Sequence, residues 1–175
     1  MSSRELTPIS YVVLGLVACG ASTSYELKQK VAGSVGFMWS FPHSALYAEP
    51  PRLADLGLLE ERREEHGRRR RLYTITDAGR SALESWLQEP ATEPPQLRDL
   101  GLLKLFFSSL TDDETVRTLA RAQEAAHRER LAVYETIEAE KPAQPGDPFP
   151  FATLRMGLMV ERAFIAFWSS VADHP

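Results

Sequence analysis

A single cysteine, Cys19, stands in the whole 175-residue sequence, so no disulfide can close within the chain and a reducing compartment suits it. Cys19 ends an apolar run, which predicts a core side chain rather than a redox sensor. Apolar runs are short, and none approaches the roughly 18 residues that a membrane span needs. The opening "MSSRELTPIS" has neither the charged start nor the apolar stretch and cleavage site of a secretory signal. These absences lead to the expectation of a soluble, cytoplasmic chain with no membrane partner. Catalytic patterns are missing too. His43, His66, His127 and His174 are scattered without a ligand spacing such as H-x-x-x-H, so no metal or other cofactor is expected. A Gly-rich phosphate loop, a G-x-S-x-G elbow and a carboxylate pair on a recognisable cleft wall are all absent, and an enzyme is not expected.

Positive charge is scarce overall, with a net −4, yet it is unevenly placed. Residues 1–88 carry 11 Lys and Arg against 10 Asp and Glu, a balance of +1; residues 89–175 carry 9 against 14, a balance of −5. Phosphate responds to local potential rather than to the total, so any nucleic-acid contact belongs to the first half. That half contains "EEHGRRRRLYTIT", Glu64 to Thr76, with four consecutive arginines beside a glycine.

The Pro-rich stretch "QEPATEPPQ", Gln88 to Gln96, reads as a stiff linker. It suggests a first domain over 1–88, a linker over 89–96 and a second domain over 97–175. In the first, Thr7-Pro8 predicts a helix start, and "ISYVVLGLVA" a helix buried on most sides that stops at Gly20. "STS" at 22–24 can cap a second helix with Leu27 and Val31 inward. A third is entered at Ser40 or Pro42, carries the stripe Leu46, Leu53, Leu56, and closes at Gly57. "LLEERRE" and "RRLYTIT" then read as two strands, with "HG" and the arginines at the hairpin tip. Thr76 and Asp77 open a fourth helix with Leu83, Trp86 and Leu87 on one side.

Three helices, a hairpin and a following helix are the order of a winged helix-turn-helix, a mainly α fold with a small β-hairpin wing. At a wing tip the planar guanidinium fork suits phosphate oxygens. The bland alternative is that Glu60, Glu61, Glu64 and Glu65 pair with the arginines across the hairpin. Trp39 is expected to pack between helices, with an exposed interface role second.

The pieces "VLGLVACG" with "SYELKQKV", "SALY" with "RLADLGLLE", "GRRRRLYTITDAGRSALESWL", "LRDLGLLKLFF" and "LMVERAFIAFW" together resemble the PadR family, phenolic-acid-responsive transcriptional repressors of bacteria. The likeness runs from about Ile9 to Trp168. It implies a winged helix followed by a helical dimerisation region. It also implies that Tyr25 offers its hydroxyl to a phosphate, and that His43, Ser44 and Ala45 sit where the third helix enters the major groove. Tyr47 follows on that helix, and Arg68, Arg69 and Arg70 form the basic wing. Lys28 and Pro42 complete the candidate DNA-contacting set. Tyr47 could equally pack beneath the wing, and His43 could be a plain helix residue. Pro50 and Pro51 predict a kink or break, which would confine base reading to Pro42 to Glu49.

In the second half, Leu97 to Leu110 reads as an apolar-faced helix, and Thr111 with Glu114 as a capping box for a helix reaching Glu140. Val116, Leu119, Gln123, Ala126, Arg130, Val133 and Ile137 form an interrupted heptad seam. The last helix carries Leu154, Leu158, Ile165 and Trp168 on one side, broadened by Phe167. A face so apolar calls for cover, and a second copy of the chain is the simplest supply. Trp86, Phe107 and Trp168 suit a pocket for a small aromatic effector, or else plain core. The expectation is a homodimeric DNA-binding repressor on a palindromic operator, relieved by an aromatic ligand. The alternative is a winged-helix protein-interaction module without DNA binding.

Overall fold

Thr7 and Pro8 do open the first helix. Thr7 is extended, Pro8 supplies a preset first turn, and α1 runs Pro8–Ala18 with Val13, Leu14 and Val17 buried. The computed structural model describes residues 5–39, 41–42, 44–64, 70–140 and 148–175. Helix α1 ends in a Schellman turn, in which Gly20 takes φ +87° and the Ala21 N–H bonds the Leu16 carbonyl at 2.9 Å. That turn corrects the expectation for Cys19. As the C-cap it lies beyond the last buried turn and is exposed; its N–H bonds the Gly15 carbonyl and its own carbonyl accepts from Lys30 Nζ.

Helix α2 (Ser24–Ala32) has a complete capping box. Thr23 Oγ1 accepts from the Glu26 N–H at 3.2 Å, and Glu26 Oε2 accepts from the Thr23 N–H at 3.1 Å. Leu27 and Val31 face inward as expected. After one 3₁₀ turn (Val35–Phe37), Trp39 stacks on Phe41 with centroids 6.2 Å apart but stays exposed, so it does not fill the space between helices.

Helix α3 (Ala45–Asp55) corrects two expectations. It starts after Ser44, later than Ser40 or Pro42, and it continues through Pro50 and Pro51 rather than breaking there. Pro50 is fully buried, so packing offsets the backbone bond it removes. The end is a second Schellman turn, with Gly57 at φ +74° and the Leu58 N–H on the Leu53 carbonyl at 2.9 Å. Leu46 and Leu53 are buried, while Leu56, at the cap, is only half-buried.

Strands β1 (Leu59–Arg63) and β2 (Arg71–Ile75) pair antiparallel, with Leu59 opposite Ile75 and Glu61 opposite Tyr73. Leu59, Tyr73 and Ile75 join the core, and the Tyr73 N–H bonds the Ser22 carbonyl at 2.8 Å, tying the hairpin to the turn before α2. Helix α4 (Asp77–Gln88) begins at Thr76, whose Oγ1 accepts from the Gly79 N–H at 3.0 Å. Leu83 is half-buried, Leu87 is exposed, and Trp86 lies flat on Tyr11 of α1, 4.6 Å between centroids and 6° between planes.

The chain divides into two compact units, Met1–Glu93 and Pro94–Pro175. In the second, α5 (Leu100–Phe106) is shorter than expected, and a 3₁₀ turn follows at Ser108–Leu110. Asp112, not Thr111, caps α6 (Asp113–Glu140), its Oδ1 accepting from the Thr115 N–H at 2.7 Å. Helix α6 packs along α7 (Phe149–Asp173). Its buried residues are Val116, Ala120, His127 and Tyr134; the expected seam positions Ala126, Arg130 and Val133 are exposed. The seam is rotated because polar side chains take part. His127 Nδ1 lies 2.6 Å from Glu161 Oε2 on α7, with Phe164 stacked on the imidazole at 4.5 Å. Arg130 Nη1 lies 3.5 Å from Glu161 Oε1, and burial pushes the neighbouring Tyr134 phenol up. Small residues set the close approaches. A Cβ at Gly157 would fall 2.9 Å from the Tyr134 ring, and one at Gly101 would fall 2.6 Å from the Gln123 amide carbon.

Candidate nucleic-acid interface

The expected DNA-contacting residues belong to α2, α3 and the hairpin. Tyr25 is 63% exposed at the start of α2, and Lys28, one turn on, is exposed as well. Gln29 Nε2 donates to the Tyr25 hydroxyl at 3.0 Å, so the phenol's own proton remains available to an outside acceptor. The amides before α2 are already occupied. Glu26 Oε2 accepts from the Ser22 N–H at 2.8 Å, the Ser22 hydroxyl at 2.9 Å and the Thr23 N–H. These bonds, the Ser22 N–H foremost, hold the Glu26 carboxyl below the usual carboxylate range. An incoming anion therefore meets side chains here rather than those two amides.

Thr23, Ser24, Tyr25, Glu26, Gln29, Arg70 and Arg71 line one open cleft of about 750 Å³. This cleft brings the α2 tyrosine together with the base of the hairpin. Arg70 Nε lies 3.1 Å from Glu64 Oε2, and Arg71 Nη1 lies 3.4 Å from Glu61 Oε2, which also accepts from the Tyr73 hydroxyl at 3.2 Å. The cross-hairpin pairing is thus real for these two arginines. Such exposed pairs contribute about 0–1 kcal/mol each, too little to keep a phosphate from competing for the guanidinium. His43, Arg68 and Arg69 lie outside the described residues.

Pro42, Ser44 and Tyr47 are exposed around the start of α3 and do not line that cleft. Tyr47, half exposed, is not core beneath the hairpin. Behind it lies a polar contact that the sequence did not reveal. Ser10 Oγ on α1 donates to Glu49 Oε1 at 2.6 Å, and Arg52 grips both oxygens of the same carboxylate. Burial pushes the Glu49 carboxyl up, but the Arg52 and Ser10 bonds and the Arg52 charge outweigh it and hold it below its usual range. Its contribution to stability is therefore complete above the ordinary carboxylate range and is lost as pH falls through the lower native value.

The expected dimer residues divide by burial. Leu158, Ile165 and Trp168 are already buried within a single chain, Trp168 completely, so they need no second copy for cover. Leu154 is half-buried and Phe167 exposed. The larger uncovered apolar surface is around α5, where Leu97, Leu100, Leu103, Phe106, Phe107 and Leu110 are exposed, Phe106 by 80%. Of the expected aromatic pocket, Trp86 belongs to the first unit and Phe107 and Trp168 to the second. Trp168 Nε1 is buried without a hydrogen-bond partner among the described residues. Among the described residues no cluster of His, Cys, Asp and Glu could hold a metal, and no helix is long and apolar enough to cross a membrane.

Comparison with known proteins places both units. Residues 13–85 match the transcriptional regulator PadR-like family, and residues 97–173 match the family described as virulence activator alpha C-term. The negative transcriptional regulator PadR of Bacillus subtilis is 26% identical over 151 residues, 85% of this chain and 82% of that protein. A probable transcriptional regulator of Mycobacterium tuberculosis is 26% identical over 170 residues, 87% of this chain and 89% of that protein. The fold matches B. subtilis PadR solved in complex with operator DNA (TM-score 0.86, 24% identity, 95% of this chain and 98% of that one). The same protein in complex with p-coumaric acid matches at TM-score 0.78 and 24% identity, over 96% of this chain and 97% of that one. The Vibrio cholerae virulence activator AphA matches at TM-score 0.72 and 28% identity, over 94% of this chain and 96% of that one. A winged helix built from α1 to α4 and a hairpin is followed by a helical unit, in a sequence that aligns with these regulators along most of its length: residues 13–85 carry a domain of the transcriptional regulator PadR-like family, and the chain as a whole resembles PadR-like regulators.

Proposed function

We propose that the protein is a homodimeric repressor that binds a palindromic operator in the cytoplasm and is released by a small aromatic acid. The observation that carries the DNA half is the cleft that joins Tyr25 on α2 to Arg70 and Arg71 at the hairpin base. A phosphate there would accept hydrogen bonds from the Tyr25 hydroxyl and the guanidinium forks, while Lys28 adds charge. Ser44 and Tyr47, with His43 between Pro42 and Ser44 in sequence, then reach base edges or the sugar-phosphate wall from the start of α3. The operator complex of B. subtilis PadR supports this reading, and that protein's p-coumaric acid complex supports an aromatic acid as effector class. Within the second unit Phe107 keeps exposed ring surface for such a ligand, whereas Trp168 would have to shift to meet one. The interaction-module alternative drew on a broken third helix, and α3 is continuous.

The test is a mobility shift with the DNA immediately upstream of the protein's own coding region. Replacing Arg68, Arg69 and Arg70 by alanine should weaken binding to operator and random duplex alike, since phosphates carry no base identity. Each lost contact should flatten the salt dependence by roughly one unit of slope. Unchanged affinity and slope would reduce the arginine run to a solvated hairpin. Adding p-coumaric acid should release the shifted duplex; a shift indifferent to phenolic acids would remove the effector from the proposal.

A further inference from the structure

Pro50 and Pro51 take two consecutive backbone donors out of the middle of α3. An α-helical amide bonds the carbonyl four residues earlier, so the carbonyls of Leu46 and Tyr47 have no such donor. The helix stays continuous, but this joint lacks two of its backbone bonds. Its second part is anchored by buried Leu53 and the Gly57 turn, while its first part rests on buried Leu46 and carries exposed Ser44 and Tyr47 outward. Something must keep the two parts in line.

Three side chains meet at that joint. Arg52 Nε donates to Glu49 Oε2 at 3.0 Å and Nη2 to Glu49 Oε1 at 2.6 Å, a two-pronged grip that spans both prolines from 52 back to 49. Ser10 on α1 completes the group. Its hydroxyl donates to Glu49 Oε1 at 2.6 Å and accepts from Arg52 Nη2 at 3.0 Å and from the Thr7 N–H at 2.9 Å. Ser10 is entirely buried and Glu49 nearly so, which makes these bonds stronger and less screened than the surface pairs of the hairpin. The bidentate fork also fixes direction, which a single point charge would not.

We propose that Ser10, Glu49 and Arg52 form a splint across the Pro50–Pro51 joint, which sets the pose of the outward end of α3 and so determines operator discrimination without touching DNA. The proposal rests on α3 being the helix that enters the groove. All three are positioning residues: they hold Ser44 and Tyr47 through the helix. Because the splint substitutes for missing backbone bonds, it should matter less once one of those bonds is restored. Pro51→Ala returns an amide to the Tyr47 carbonyl, and Pro51 is only half-buried, so the change leaves the core intact.

The experiment uses the full chain with Ser10→Ala and Glu49→Gln, each alone and in the Pro51→Ala background. One arm follows amide hydrogen exchange of Tyr47, Ala48 and Glu49 without DNA. The other measures the ratio of affinity for a duplex selected from a random pool by the wild-type chain to that for its scrambled counterpart. With proline at 51, Glu49→Gln should speed exchange of those amides by about tenfold or more while the β1 and β2 amides are unmoved. The affinity ratio should fall by about tenfold, the share of one base contact. Both effects should shrink in the Pro51→Ala background. Equal losses in the two backgrounds, or lower unfolding midpoints with unchanged exchange and ratio, would make the three side chains an ordinary core contact and overturn the splint. If the wild-type chain selects no duplex at all, the DNA reading falls and the discrimination clause with it. The exchange arm still decides whether the joint is braced.

Discussion

Leu103→Asp with Phe106→Asp is expected to yield a folded, monomeric chain that no longer holds its operator. Both side chains are more than half exposed, so charge there removes little packing within the chain beyond the edge-to-face contact of Phe106 with Phe107. Leu97, Leu100, Phe107 and Leu110 extend the same uncovered apolar stretch, and a soluble protein seldom leaves so many large apolar groups close together without a partner. Two winged helices held by a twofold axis can read two half-sites, and the second contact then becomes intramolecular. Losing that linkage should weaken operator binding on the order of 10²- to 10⁴-fold, towards non-specific affinity. Sedimentation velocity beside the mobility shift measures both consequences. Ile165→Asp would be a poor probe, because Ile165 is buried and a charge there disrupts the unit itself. A double variant that stays dimeric would move the interface to the exposed α7 residues Met156, Met159 and Phe167.

The difference between the apolar residues left uncovered and those singled out from the sequence shows which features a linear reading can reach. Local signals were legible because their physics is local. Thr7-Pro8, the "STS" cap before α2, Gly20, Gly57 and the β-branched and aromatic run "RRLYTIT" each act within a few residues, and each appears where it was expected. Tertiary partners were not. Apolar spacing on the last helix identified a buried face correctly but could not say that α6, in the same chain, covers it. The α6 seam was read as an interrupted heptad that passes over His127 and Tyr134, which are buried because Glu161 and Gly157 on α7 receive them. Those partners are 34 and 23 residues away, beyond any periodicity.

The double proline failed differently. Proline's local penalty is large, and the expectation of a break followed from it directly. What the sequence concealed was the compensation: a proline ring buried in the core and a carboxylate shared by Ser10 and Arg52. The candidate interface was legible as a set of residue types. Its assembly was less so, since the cleft depends on the hairpin base lying beside the start of α2, and the bond from the Tyr73 N–H to the Ser22 carbonyl that ties the hairpin to the turn before that helix has no sequence signature.

Gly79→Ala should cost about 1–3 kcal/mol of stability, although alanine is the better helix former by about 1 kcal/mol. The two effects oppose each other, and geometry decides between them. A Cβ at residue 79 would lie 2.1 Å from the Leu58 carbonyl oxygen and 2.9 Å from Ile75 Cγ1. The first of these is backbone and cannot rotate away. That oxygen also accepts from the Thr76 N–H at 3.2 Å and the Thr76 hydroxyl at 3.0 Å, and the same hydroxyl accepts from the Gly79 N–H to cap α4. Moving α4 outward to relieve the clash therefore strains the cap and the contact between the end of β2 and the turn after α3 together. Overpacking alone accounts for about 1–3 kcal/mol, and a lost cap adds about 1 more. Urea unfolding of the full chain, followed by Tyr11–Trp86 fluorescence in the first unit, gives the value. A variant as stable as the parent would mean that α4 can slide on Leu58. The hairpin would then be free to change its pitch relative to α3, and the wing would not be rigidly aimed by the helix behind it.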